Sequence, residues 1–157
     1  MARNRVGWVE FLAQAPGFVA DALAEELSLP FFPYYPTSIA QVIETLPAGW
    51  VDWEGTLSET PVSDAVNEIA VPMAVTIVLE ATDLESTAQR QRELMGAVKV
   101  WARENKSLTD VEVGATAQLS VPEWGWIELS EEEGLELFGR TIRVVSISLV
   151  LTVRELK

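Results

Sequence analysis

Any acid–base chemistry in this sequence falls to carboxylates, because the chain holds no histidine and no cysteine. Histidine is the usual general base near neutral pH and the commonest transition-metal ligand, and thiolates hold iron–sulfur clusters and many zinc ions. A serine triad, a histidine-bound zinc hydrolase, a histidine phosphotransferase, thiol catalysis and disulfides are therefore excluded. Two carboxylate groupings remain. Asp52 and Glu54 are two residues apart, which on a strand places them on one face roughly 7 Å apart, a separation glycoside hydrolysis can use. In a chain with 24 acidic residues such spacings arise often, and a solvated strand face is the simpler reading. Glu131, Glu132 and Glu133 before Gly134 read as a charged turn, because hard-cation loops need several ligands in a defined geometry. The expectation is no enzyme: no catalytic residue, no metal ligand and no cofactor.

Binding chemistry is the other possibility, and the six tryptophans are its main candidates. Trp124 with Trp126, same-sided on a regular strand, or Trp50 with Trp53, would make a stacking platform for a sugar. Aromatics also dominate cores and protein interfaces, which is the expected role here. Candidate interface residues are Trp50, Trp53, Val62, Val66, Trp124 and Trp126. The glycines fall in neither GxGxxG nor GxxxxGK[ST] spacing, which argues against nucleotide binding. Arg90, Arg92, Lys99 and Arg103 form the one basic cluster, and read as helix solubility or as pairing with the acidic surface of a neighbour. A formal charge of −13 works against affinity for phosphate backbones or anionic lipid.

These residues need a scaffold, and 157 residues suffice for one domain with a real core. The start leads into no signal-peptide core and no apolar run is long enough for a membrane helix, so a chain made and kept in a cytoplasm is expected. The reading is a single α+β domain over residues 1–157, helical over 1–48, with the sheet and main helix over 49–157. Within the first part, residues 6–29 show helical periodicity interrupted by Pro16 and Gly17, which predicts two short helices. Three prolines in residues 29–36 predict an extended connection. Thr37 or Ser38 would cap a third short helix reaching Leu46.

From Trp50 the period changes. A first strand is expected over 50–57, then a loop or long hairpin tip over 58–68, and a second strand over 73–81 with Val75, Ile77, Leu79 and Ala81 on its buried face. Thr82 and Glu85 have capping-box spacing ahead of the main helix, whose apolar stripe is Leu84, Ala88, Met95, Val98 and Ala102, widened by Leu94 and Trp101. Alternation over 111–121 predicts a third strand, 124–129 a fourth, and Val145, Ile147, Leu149, Leu151 and Val153 the core face of the last. Ile142 and Val144 fall out of that parity, which predicts a bulge near Val144 and Val145. Helices, strands, one long helix and strands again make an α+β fold, a mainly antiparallel sheet packed on one face by a long helix, with short N-terminal helices. Thr and Ser at 146, 148 and 152 give the opposite face a mixed character that suits assembly.

The order of these elements resembles the tail-terminator, or tail-completion, family of long-tailed bacteriophages. The stretches that carry the resemblance are residues 49–56, 70–82 leading into the helix 85–104, 113–117 and the terminal strand 143–153. The family is held together by pattern more than by identities, and both the proline-aromatic stretch 30–36 and the segment 58–68 exceed its minimal pattern. The resemblance implies a structural virion protein of the tail and neck. It would form a homo-oligomeric ring, usually a hexamer, that caps the tail tube and joins it to the head–tail connector or neck protein. DNA would pass without specific binding, since an acidic channel wall offers phosphates no favourable ion exchange. Competing readings are a non-catalytic carbohydrate- or protein-binding module and another capsid or neck accessory protein.

Overall fold

The computed structural model describes residues 2–34, 46–80, 83–105, 123–131, 135–137 and 140–156. The expected third short helix and the strand expected over 111–121 lie outside the described residues. The chain is α+β, with two helices and a mixed sheet among the described residues. Its elements are α1 (Ala2–Leu27), β1 (Phe31–Phe32), β2 (Ala48–Trp53), β3 (Ser58–Pro61), β4 (Val66–Glu80), α2 (Leu84–Glu104), β5 (Glu123–Glu131), β6 (Leu135–Leu137) and β7 (Arg140–Leu156).

A two-stranded antiparallel ribbon, β4 with β7, forms the spine, in unbroken register from Val66 opposite Leu156 to Glu80 opposite Ile142. Each long strand is flanked on its outer side by two short ones. β2 and then β3 lie along β4, while β5 and then β6 lie along β7. Only the β1–β2 pair is parallel among the described strands. Gly49 makes that pair possible, because a Cβ there would stand 2.5 Å from the Phe31 ring.

Register sorts the side chains onto two faces. On one, Ile69, Val71, Met73, Val75 and Ile77 stand opposite Val153, Leu151, Leu149, Ile147 and Val145, every one buried. The same cluster takes in Phe11, Val19 and Leu23 of α1 and Leu94, Val98 and Trp101 of α2. On the other face a smaller cluster joins Ala48, Trp50, Val78 and Ile142, with Val144 packed against it. That second cluster corrects the bulge expected at Val144 and Val145. The register there is continuous, and the change of parity reflects burial on both faces at this end of the ribbon.

β4 begins at Val66, seven residues before the expected Met73, and runs through Pro72. A residue's N–H and C=O point toward the same neighbouring strand. The Pro72 carbonyl accepts from the Glu54 amide at 3.0 Å, so the donor that proline lacks falls on the same side, between the end of β2 at Trp53 and the start of β3 at Ser58. No strand needs it there. Gly55, at φ +74°, turns the chain at this gap.

The two short helices expected around Pro16 and Gly17 are one 26-residue helix, α1, which carries Pro16 inside it. Phe11, Ala15, Val19, Leu23 and Leu27 recur every fourth residue and are all buried, so packing is continuous across the proline. Pro16 deprives the Leu12 carbonyl of its helical donor. The Trp53 indole N–H supplies one instead, at 2.8 Å. The expected capping box also moves by one residue: the N-cap is Asp83, whose carboxylate accepts from the Ser86 amide at 3.0 Å.

Candidate functional site

Asp52 and Glu54 are not aligned on one strand in this geometry. β2 ends at Trp53, so Glu54 lies beyond the strand that was to align it with Asp52. Asp52 Oδ1 accepts from the Trp53 amide at 2.8 Å, and Glu54 Oε2 accepts from the Ser148 hydroxyl at 2.8 Å. Both are engaged in holding backbone and ribbon together. Glu131 is the last residue of β5, and Glu132 and Glu133 lie outside the described residues. Among the described residues no cluster of acids is arranged to hold a metal ion.

The tryptophans divide between faces. Trp50 is 8% exposed within the smaller cluster, while Trp53 packs against the larger one, its ring centroid 5.8 Å from that of Phe11. Three residues apart on one strand, they present no common platform. On β5 a one-residue shift falls between Trp124 and Trp126, setting Trp124 opposite Leu151 and Trp126 opposite Val150. The backbone register of β5 against β7 is therefore interrupted at Gly125. The bulge expected in the last strand is thus found in its neighbour.

Val62 and Val66 mark the tip of a β-hairpin, the second of the two forms expected for residues 58–68. The Val62 and Ser63 amides both donate to the Val66 carbonyl, at 3.0 and 3.2 Å, and β3 runs back along β4 with Glu59 opposite Ile69. Every residue from Glu54 to Ala65 is exposed, whereas Val66 is half-buried where the hairpin rejoins the ribbon. The arm carries two large apolar side chains in water, Leu57 at 49% and Val62 at 55%. Glu59 accepts from Asn67 Nδ2 at 3.1 Å, and a loose Glu68–Arg154 pair at 4.0 Å ties the arm's base. Such an exposed pair contributes little stability. Leu57 was not singled out from the sequence; its signal is an apolar residue stranded between Gly55 and a polar strand.

On α2 the buried stripe is Thr87, Gln91, Leu94, Val98, Trp101 and Ala102. Ala88 and Met95, placed on the stripe from the sequence, are half-buried at its border. Gln91 is fully buried, and its amide oxygen and nitrogen find no partner among the described residues. The basic residues face outward: Arg90 pairs loosely with Glu93 at 3.7 Å, and Arg92 and Arg103 are exposed. At the helix start the Ser86 hydroxyl, then the Ser86 amide, hold the Asp83 carboxyl below the usual aspartate range. A shallow depression beside it is lined by Leu46, Pro47, Leu79, Glu80, Thr87 and Arg90, a mix of apolar and opposite charges without a convergent donor set.

Fold and surface together define an α+β domain with a spine of two long strands and an exposed hairpin arm. No family model matches the chain, and no curated protein matches it. No described helix is long and apolar enough to cross a membrane.

Proposed function

We propose that this protein is a structural assembly subunit that closes into a homo-oligomeric ring, and that within this class it is a phage tail terminator. The ring caps the tail tube and meets the head–tail connector or neck protein. The observation that carries the reading is the arm. The β3 side of the hairpin and its tip, exposed from Glu54 to Ala65 and bearing Leu57 and Val62, leave that apolar surface unburied by the fold that carries them, and apolar side chains on an exposed strand favour a partner surface. The larger cluster holds side chains of both helices on one face of the ribbon, while Thr76, Ser146 and Ser148 lie half-buried on the other. The formal charge of −13 supports a channel through which DNA slides without adhering. Trp50 and Trp53 on opposite faces, and the shift at Gly125, disfavour the sugar-platform alternative.

Electron microscopy of the purified protein and of its native particle tests this. Closed rings at the end of a tail tube are the expected result. A protein seen only as monomers in both preparations overturns the proposal.

A further inference from the structure

We infer that the outward face of α2 is the docking surface for the β3 arm of a second copy of this chain. The inference rests on the ring reading above and names the contact that closes the ring. Its first ground is Gly96, in the middle of α2 and exposed. Glycine weakens a helix relative to alanine, and a Cβ at this position would meet nothing within 4 Å. No neighbour among the described residues calls for the small residue, whereas bare helix backbone lets another chain approach closely.

The surroundings of Gly96 are chemically specific. Arg92, Lys99, Val100 and Arg103 share its stripe, at i−4, i+3, i+4 and i+7. Val100 is 52% exposed, an apolar residue opposite the buried stripe. Arg92, Lys99 and Arg103 make no ion pair among the described residues. The arm is the complement of this surface. Between Arg5 and Arg90 the sequence has no lysine or arginine, so the arm presents Glu59 and Asp64 beside exposed Leu57 and Val62, with no base of its own.

Lengths agree as well. From Arg92 to Arg103 the helix rises roughly 16 Å, and from Leu57 to Val62 an extended chain spans roughly 17 Å. The arm enters by its side chains and not as an added strand, since Pro61 has no amide hydrogen to give and Glu59 guards the edge. Arm onto helix is a head-to-tail contact, the kind that closes into a ring when the rotation between copies fits.

Sedimentation equilibrium of the full-length chain, with thermal unfolding as the check on folding, tests the contact. Gly96→Ala is expected to raise the unfolding midpoint of the monomer yet weaken assembly, two opposed shifts that a glycine without a partner does not produce. Lys99→Glu with Arg103→Glu is expected to weaken assembly by about tenfold or more, as like charges are brought together. Adding Glu59→Lys and Asp64→Lys to that chain restores it. If the wild type assembles and these variants leave its dissociation constant unchanged, the contact is wrong and the ring reading stands. If the wild type sediments as a monomer at every concentration, the contact falls, and the ring reading falls with it when the native particle also shows no ring.

Discussion

β4 and the arm that leads into it meet different fates. From Ile69 to Ile77 the alternate side chains of β4 stand opposite buried residues of β7 and join a cluster shared with both helices, whereas ahead of Val66 the chain forms an arm on which every residue from Glu54 to Ala65 is exposed. Both β4 and the β3 strand of the arm are paired through their backbones. What differs is the second layer: the ribbon has side chains from α1 and α2 packed among its own, and the arm has none among the described residues. Hydrogen-bonded strands alone are marginal in water, so the arm's order depends on the ribbon it hangs from and, in our account, on a neighbouring copy.

The comparison breaks most readily at the buried layer. Trp101→Ala, at a 5% exposed position of the larger cluster, is expected to cost about 3–5 kcal/mol, measured by denaturant unfolding. A loss of a few tenths would show that α2 does not seal the ribbon. Next in size is the Trp53 indole, which substitutes for the helical donor that Pro16 removes. Trp53→Phe should cost about 1–2 kcal/mol, because it leaves the Leu12 carbonyl short of a partner. In a Pro16→Ala background the cost should shrink, since the restored amide serves the same carbonyl, and a double-mutant cycle reads the coupling directly.

On the arm the expectation reverses. Leu57→Ser with Val62→Ser should leave monomer stability within about 0.5 kcal/mol, as for other exposed positions; a larger loss would mean the arm packs against its own core. The smallest effect is a pH dependence at the start of α2. Asp83 has a carboxyl held below its ordinary range by Ser86. A group with a depressed folded-state pKa adds stability above the ordinary aspartate value of about 3.9 and loses it as pH falls through the folded value. Acid unfolding curves should therefore show a contribution from Asp83 that fades below about pH 4 and is absent in Asp83→Asn, which still caps the helix.

Much of the ribbon was legible because period-two alternation is a direct record of burial on one face. Val145, Ile147, Leu149, Leu151 and Val153 form the core face of the last strand as read from the sequence. Errors came where a distant residue repairs a local rule. Pro16 reads as a helix break unless Trp53, far along the chain, is known to reach Leu12. Pro72 reads as a strand boundary unless the gap between β2 and β3 is known to lie beside it. Ile142 and Val144 read as a bulge because a small cluster on the second face cannot be told from a change of register in one dimension. Gln91 was missed since a buried amide without a partner among the described residues has no sequence signal. Of the candidate surface, the hairpin tip around Val62 was foreseen, while the separation of Trp50 from Trp53 follows from strand parity and was legible in principle.

Hydrogen exchange measured at two protein concentrations tests the central claim most directly. Amides of the ribbon, from Met73 to Leu79 and from Val145 to Leu149, should be protected equally in the dilute monomer and in the assembled protein. Amides of the arm from Ser58 to Thr60, together with those around Val62, should exchange fast in the monomer and slow on assembly. Arm amides that exchange at the same fast rate in both states, while the protein is seen to assemble, would contradict the account.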